Sequence, residues 1–169
     1  MHYPADTVYT RTATDQGTVW LAATAQGLAG LWFDGQKHFP PALQDTPAWT
    51  PAPQHPTLVQ AAAQLQQYLH GQRRVFDLPL DLSVGTAFQQ AVWRALLALP
   101  CGHTTSYGAL SQSIDRPSAV RAVAAAVGRN PLSVVVPCHR VLGADGSLTG
   151  YAGGLPRKAA LLALEAKLA

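Results

Sequence analysis

The chain has 169 residues, of which 48% are hydrophobic, and it carries a formal net charge of +3. This length allows one compact unit or two small domains. No stretch approaches the ~20 uninterrupted apolar residues that span a membrane, and residues 1–4 do not begin the basic-then-apolar pattern of a signal sequence. Cys101 and Cys138 could form one disulfide, but free thiols are expected in a reducing compartment. The sequence therefore predicts a cytoplasmic protein without a membrane partner.

Three short runs near the start of the chain, residues 7–12, 18–25 and 28–33, are rich in β-prone residues. Turn-forming residues at 15–17 and 26–27 separate them. Closely spaced strands joined by tight turns are typical of an antiparallel meander. We therefore predict a small antiparallel sheet at the N-terminus.

A Pro-rich stretch follows at residues 39–56, where six prolines predict a loop. Pro56 suits the first turn of a helix that continues to Leu69 and is closed by Gly71. Residues 1–81 are predicted to form an N-terminal scaffold domain. No chemistry is assigned to this half, because it has no candidate nucleophile and no metal-ligand spacing.

The chain becomes helical in character at Thr86, a capping residue followed by apolar residues at near-helical spacing up to Pro100. The predicted fold class is α+β, with the antiparallel-sheet domain followed by a mainly helical C-terminal domain, residues 82–169. Residues 1–81 carry four Lys or Arg against six Asp or Glu, whereas residues 82–169 carry eight against three. This asymmetry fits binding of a polyanion by the second half, although a basic domain without such a partner would share it.

Two shorter helices are predicted at residues 107–114 and 119–127, joined by a turn, with Ser118 as the cap of the second. This is the outline of a helix-turn-helix, which other pairs of short helices share. The second helix offers five alanines and Arg121 as its one charged residue. Such a surface lacks the side chains that read base edges and suits close approach to a minor groove, but alanines serve helix packing equally well.

Cys138 follows an apolar run and is itself followed by His139 and Arg140. A thiol becomes nucleophilic at neutral pH when its pKa of about 8.5 is lowered, commonly by a nearby His or Arg. Because adjacent side chains in extended chain point to opposite faces, a relay from thiol to imidazole through water is expected. An inert buried cysteine is the alternative. A zinc site drawn from Cys101, His103, Cys138 and His139 lacks the usual ligand spacing, so neither a metal nor a cofactor is predicted.

Several motifs surround this cysteine in a fixed order. Together they resemble the bacterial branch of the O6-alkylguanine-DNA alkyltransferases, proteins that repair DNA at the cost of their own active-site cysteine. The resemblance covers the chain from about Thr86 to its end, and residues 18–39 add a less specific match. The motifs are Ser106-Tyr107-Gly108, Arg121-Ala122-Val123, Gly128-Arg129-Asn130-Pro131, Pro137-Cys138-His139-Arg140, Gly150-Tyr151-Ala152-Gly153-Gly154-Leu155 and Leu161-Leu162-Ala163-Leu164-Glu165.

The resemblance implies four catalytic residues. Cys138 takes the alkyl group from O6-alkylguanine, His139 removes the thiol proton through water, and Glu165 orients His139. Tyr107 donates its hydroxyl to N3 of the extruded guanine. The transfer is irreversible, so the implied enzyme is a single-turnover methylated-DNA-[protein]-cysteine S-methyltransferase. Whether O4-alkylthymine is also a substrate stays open.

The resemblance also implies how duplex DNA with alkylated bases is bound, by a protein acting as a monomer. The second helix enters the minor groove and Arg121 fills the stack where the damaged nucleotide flips out. The implied DNA-binding residues are Ser118, Ala119, Arg121, Ala122, Ala124 and Tyr107. The implied substrate pocket consists of Val127, Asn130, Pro137, Arg140, Leu148, Tyr151 and Gly153.

Two other classes of function remain. A thiol hydrolase using Cys138 and His139 would release its product repeatedly. A non-catalytic lesion-recognition or helix-turn-helix DNA-binding protein would keep its activity when Cys138 is replaced by Ala. Lesion-recognition relatives of the alkyltransferases lack this cysteine, so its presence favours true transfer.

Overall fold

The N-terminal half is built on a four-stranded sheet. The computed structural model describes residues 1–44 and 48–168. The strands are β1 (Val8–Thr14), β2 (Gly17–Thr24), β3 (Gly27–Phe33) and β4 (Thr50–Pro51), and they lie in the order β3-β2-β1-β4. The antiparallel part is the predicted meander, confirmed with Val8 opposite Ala23 in the first pair.

The prediction that residues 39–56 form only loop was wrong at two places. Pro41–Leu43 forms a 3-10 turn, and β4 pairs in parallel with β1. The amide of Ala52 donates to the carbonyl of Tyr9 at 2.8 Å, so the edge of β1 is covered by a short segment. Pro51 fits there because an edge strand can spare a donor. Residues 45–47 of that stretch lie outside the described residues.

Helix α1 (Pro56–Leu69) packs against the sheet and buries Leu58, Leu65 and Tyr68. Proline in its first turn and Gly71 at φ 73° after its end agree with the predicted bounds, because proline is pre-set for a helix start and glycine accepts the left-handed conformation beyond the end. This helix carries side chains from the N-terminal half toward the C-terminal half.

The C-terminal half contains four helices and a two-stranded parallel sheet. They are α2 (Ala87–Leu97), β5 (Thr105–Ser106), α3 (Tyr107–Ser113), α4 (Val120–Gly128), β6 (Val141–Leu142) and α5 (Leu155–Leu168). At the start of α2 the Thr86 hydroxyl accepts from the Gln89 amide while the Gln89 side chain accepts from the Thr86 amide, a complete capping box. The Trp93 indole donates to the carbonyl of Ala126 at 2.9 Å and links α2 to α4.

Helices α3 and α4 form the predicted helix-turn-helix, but Ser118 is not the cap of α4. That helix begins at Val120, and its N-terminal residue Ala119 makes no side-chain capping bond. The amide of Ala119 donates to the carbonyl of Arg116 at 2.9 Å. Pro117 and Ser118 therefore occupy the centre of a β-turn, a position that proline's fixed φ favours.

The two halves share one hydrophobic core, in which residues of β3 contact residues of the C-terminal half. The free edge of β3 receives the segment that precedes Cys138: Leu31 donates to the carbonyl of Pro131 at 2.8 Å, and Ser133 donates to the carbonyl of Leu31 at 3.0 Å. The sheet thus holds the backbone that leads into the candidate site. Within the described ranges, no helix is both long and apolar enough to cross a membrane.

Candidate active site

Cys138 lies at the start of a 3-10 turn, Cys138–Arg140, at the end of a wholly buried segment. Its amide donates to the carbonyl of Val136 at 2.8 Å. Val134, four residues earlier, has φ 73°, a left-handed conformation that costs a β-branched residue about 1–3 kcal/mol. Such backbone persists only where its surroundings hold it firmly.

The Asn130 side chain holds this backbone in place through several hydrogen bonds. Its side-chain amide donates to the carbonyl of Val136 at 2.8 Å and contacts the Cys138 sulfur at 3.1 Å. Its side-chain oxygen accepts from the amide of Leu132 at 2.9 Å. One buried amide therefore joins the end of the helix-turn-helix to the thiol.

The Cys138 thiol is protonated at neutral pH in the free protein. Burial raises its pKa to about 11, although the hydrogen bond from Asn130 and the charge of Lys158 act in the opposite direction. The side chains of His139 and Arg140 point to Glu165 and not to the thiol. A base must therefore remove the proton during the reaction.

The Glu165 carboxylate is hydrogen-bonded to four residues. His139 Nε2 lies 2.8 Å from its Oε1, and the Arg140 guanidinium donates to both carboxylate oxygens at 2.8–3.1 Å. The Gly102 amide donates to Oε2 at 3.0 Å and the Tyr68 hydroxyl to Oε1 at 2.5 Å. Burial alone would raise the pKa of Glu165, but the bonds from His139 and Arg140 outweigh it and lower the pKa below its usual range.

His139 is neutral and oriented to accept a proton. Burial lowers its pKa, opposed by the hydrogen bond and charge of Glu165. With Nε2 held by the carboxylate, that nitrogen carries the ring proton, and Nδ1 keeps a lone pair. In the described part of the chain Nδ1 is buried without a hydrogen-bond partner. The arrangement provides a general base adjacent in sequence to the thiol.

Cys138 lines a cavity of about 210 Å³. Tyr151 and Val127 line it, as expected for the substrate pocket, and so does Tyr107, whose hydroxyl donates to the carbonyl of Thr149 at 3.4 Å. The N-terminal half contributes Lys37 and His38, although the sequence had assigned it no chemistry. The remaining lining residues are Ala124, Gly128, Gly150 and Ala152.

Five residues predicted for the pocket do not line this cavity, and one of them is Asn130, whose buried side chain contacts the Cys138 sulfur. Pro137 and Arg140 line a separate cavity of about 180 Å³, because the Arg140 side chain turns toward Glu165 and the carbonyl of Leu99. Leu148 is exposed on a loop. Gly153 lies behind Tyr151, where an added Cβ would come within 2.7 Å of the tyrosine ring. Gly153 therefore shapes the pocket through Tyr151.

Three of the six predicted DNA-binding residues lie on α4, and a fourth, Tyr107, begins α3 and lines the cavity. Ala124, which lines the cavity, and the exposed Arg121 and Ala122 belong to α4. Ser118 is exposed in the preceding turn, and Ala119 is half-buried at the start of the helix. The small side chains leave the backbone of this helix open to a narrow partner surface.

Sequence reasoning missed Tyr68 and Lys158. Tyr68 lies in a helix that reads as ordinary amphipathic sequence, and only its contact with Glu165 reveals a role. The buried Lys158 precedes Glu165 on α5. The sequence spacing could have indicated Lys158, because it lies seven residues, or about two helical turns, before Glu165. Residues at this spacing lie on the same face of a helix. Throughout residues 1–44 and 48–168, no three His, Cys, Asp or Glu side chains converge as metal ligands.

Two family models match the chain nearly end to end. The 6-O-methylguanine DNA methyltransferase ribonuclease-like domain matches residues 7–82, and the DNA binding domain of the same family matches residues 87–167.

Individual proteins agree with these matches. A methylated-DNA–protein-cysteine methyltransferase of Mycobacterium tuberculosis is 53% identical over 117 residues, which cover 69% of each chain. A protein of the same name from Mycobacterium leprae is 50% identical over 149 residues, or 88% of this chain and 86% of that one. The crystal structure of Mycobacterium tuberculosis OGT in complex with DNA is similar with a TM-score of 0.85 and 43% identity, covering 96% of this chain and 94% of the other.

Proposed function

The chain belongs to the 6-O-methylguanine DNA methyltransferase family, and we propose that its alkyl acceptor is Cys138. The activity is that of a methylated-DNA–protein-cysteine methyltransferase, which repairs DNA directly and irreversibly. One observation carries the assignment: the buried Cys138 lines a cavity, and the adjacent His139 is hydrogen-bonded to Glu165.

The reaction begins with removal of the thiol proton. Cys138 Sγ–H gives its proton to His139 Nδ1 through an intervening water, and Glu165 stabilises the imidazolium that results. Tyr68 and Arg140 keep the Glu165 carboxylate in place and ionised. A pKa of about 11 for the thiol makes this transfer necessary, since spontaneous ionisation at neutral pH is rare.

The thiolate then attacks the alkyl carbon in line with the O6 bond. The S–C bond forms as the C–O6 bond breaks, and the electron pair of that bond leaves with guanine, which is protonated and restored. The Tyr107 hydroxyl neutralises charge at N3 of the departing base. The product at Cys138 is a thioether without a leaving group for water, so each molecule reacts once.

The flipped base reaches the thiol from the α4 side. A protein nucleophile cannot approach O6 in line while the base is stacked, and unstacking costs a few kcal/mol, less for a mispaired base. The minor groove receives α4, and Arg121 occupies the space that the base leaves. The exposed position of Arg121 and the small residues beside it support this role.

Residues 1–81 act as a scaffold domain and residues 82–169 as the DNA-binding and alkyl-transfer domain. The partner in this proposal is duplex DNA that contains alkylated bases, and the Mycobacterium tuberculosis relative, whose structure is a complex with DNA, supports a DNA partner. One monomer suffices in this proposal, because all the groups of the relay come from one chain. The reaction takes place in the cytoplasm.

The test is mass spectrometry of the intact protein and its peptides after incubation with duplex DNA carrying one O6-methylguanine. The Cys138 peptide should gain one methyl group in stoichiometric yield, without a second turnover. Cys101→Ala should react normally and Cys138→Ala not at all. A duplex with O4-methylthymine tests the second substrate class. An unmodified Cys138 despite tight binding to the lesion would refute the proposal.

A further inference from the structure

Lys158 is a fully buried cation, 0% exposed, on α5. Its Nζ donates to the carbonyls of Val141 at 2.5 Å, Thr149 at 2.7 Å and Gly150 at 3.4 Å. Three carbonyl acceptors match the three N–H donors of the protonated lysine side chain. In the described residues no acidic side chain forms a salt bridge with it. Such an unpaired buried charge is costly unless it serves a purpose.

The ammonium lies between the two segments that flank the Cys138 thiol. Val141 directly follows the 3-10 turn that starts at Cys138, and Gly150 lines the same cavity as the sulfur. Bonds to both segments hold the pocket loop against the turn that carries the nucleophile. Lys158 is therefore hydrogen-bonded to both segments that border the candidate site.

Apart from the exposed Lys37 and His38, which line the same cavity, the other titratable groups around the thiol are neutral or paired. Burial raises the pKa of Tyr107 and of Tyr151 and lowers that of His139, so all three are uncharged at neutral pH. Glu165 and Arg140, beyond His139, neutralise each other. Burial lowers the pKa of Lys158 and the Cys138 thiolate raises it again, and Lys158 in turn favours the thiolate.

We propose that Lys158 is a positioning residue for the alkyl transfer proposed above, acting through Cys138. Its ammonium compensates the negative charge of the thiolate when His139 takes the proton, and its three hydrogen bonds fix the pocket loop beside the sulfur. The Lys158 ammonium has a counter-ion only while Cys138 is ionised, so the attraction between the two charges favours the thiolate.

The test measures the rate at which iodoacetamide alkylates Cys138 between pH 7 and 10, with peptide mass spectrometry to separate Cys138 from Cys101. Lys158→Met removes the charge at similar side-chain length, and Lys158→Gln keeps two N–H donors without the charge. Lys167→Met is the matched control, since it removes an exposed ammonium from the same helix.

Both Lys158 variants should show the alkylation profile displaced by about one pH unit upward, or a rate about tenfold lower at each pH. Lys167→Met should stay within about twofold of the parent protein. A folded Lys158→Met or Lys158→Gln protein with the parent profile would overturn the proposal. Reaction with iodoacetamide requires no DNA, so a failure of the DNA-repair assay leaves this result interpretable.

A second comparison keeps Lys158 and serves if its variants do not fold. Cys138→Asp places a permanent anion where the thiolate forms, and Cys138→Asn is its neutral counterpart. With a nearby cation, the Asp variant should melt at least as high as the Asn variant at neutral pH. An Asp variant that is much less stable at neutral pH and recovers on acidification would show a carboxylate buried without a counter-ion and would refute the proposal.

Discussion

Tyr68 donates its hydroxyl to Oε1 of Glu165 at 2.5 Å, although 97 positions separate the two residues in the chain. The hydroxyl also lies 3.4 Å from Nε2 of His139. Burial and the bond to Glu165 raise the pKa of Tyr68, so it remains a neutral donor. The N-terminal half, predicted to be a scaffold without chemistry, therefore supports the carboxylate that orients the base.

Replacing Tyr68 by Phe should weaken both stability and transfer. The change keeps the buried ring but removes a bond to a charged group, for which about 1.5–3 kcal/mol is usual. Denaturant unfolding should show that loss, and the single-turnover rate on O6-methylguanine duplex should fall about tenfold as Glu165 and His139 lose orientation. Tyr9→Phe is the control, because Tyr9 stacks on Trp20 and the described structure gives its hydroxyl no hydrogen bond. A Tyr68→Phe protein with parent rate and stability would contradict this role.

Local signals in the sequence predicted the elements that depend on neighbouring residues. Pro56 and Thr86 mark helix starts because a ring constraint and a capping box act within one turn. The prediction that Ser118 caps α4 was wrong because the adjacent Pro117 favours a β-turn at this position. The strand β4 was missed because an exposed edge of β1, and not the composition of residues 39–56, decides that pairing.

The candidate site was predictable only in part, for a different reason. The motifs identified Cys138, His139 and Glu165, but the pKa of the thiol depends on burial and on where His139 and Arg140 point. Both properties arise from packing between distant segments. The same holds for Tyr68, whose role follows from how α1 lies on the sheet.

Glu165→Gln should destabilise the protein in a pH-dependent manner. The folded-state pKa of Glu165 is lowered, so its contribution is fully present above the unfolded value of about 4.3 and is lost as pH falls through the lower folded value. At pH 7 the substitution leaves Arg140 buried without its partner and should cost about 3–5 kcal/mol. The gap between the two proteins should narrow below about pH 4.

Unfolding free energies measured from pH 7 to pH 3 would check this behaviour. Asp15→Asn is the control, since Asp15 pairs with His70 on the surface and its loss should cost less than about 1 kcal/mol. A constant gap between parent and Glu165→Gln across that range would mean that the carboxylate is not the source of the effect.

Asn130→Ala should loosen the thiol and its loop. The truncation removes the four hydrogen bonds that the Asn130 side chain makes and leaves the buried amide of Leu132 unsatisfied, at about 1–3 kcal/mol. We expect a marked fall in melting temperature and faster hydrogen exchange at the Leu132 amide. Ser113→Ala, which removes one part-buried hydrogen bond to the carbonyl of Leu110, should change neither. Parent-like exchange at Leu132 would exclude the anchoring role.

Gly153→Ala should impair base binding while sparing the thiol. An added Cβ would lie 2.7 Å from Cε1 of Tyr151 and 3.1 Å from Cδ2 of Phe33, so the tyrosine ring must move from the cavity wall. Repair of O6-methylguanine duplex should slow by at least about tenfold, as a misplacement of about 1 Å can cost more than that. Alkylation of Cys138 by iodoacetamide should change little. At Gly108 an added Cβ would make only an ordinary contact, 3.9 Å from Ser106 Oγ, so Gly108→Ala should repair normally. Equal repair rates for the two variants would contradict a role for Tyr151 as a wall of the pocket.

Arg121 should act through its shape as well as its charge. The residue is exposed on α4, and if it fills the base stack, Arg121→Lys will keep general affinity for duplex DNA, which depends on charge, yet lose extrusion. We expect Arg121→Ala to weaken both DNA binding and repair. Arg121→Lys should bind undamaged duplex normally but transfer the alkyl group about tenfold more slowly. A tenfold lower rate corresponds to less free energy than the few kcal/mol that unstacking a base costs. Arg94→Ala on α2 is the control. Titrations on undamaged duplex and single-turnover assays on lesion duplex separate the two effects, and an Arg121→Lys protein that repairs at the parent rate would reduce Arg121 to a phosphate contact.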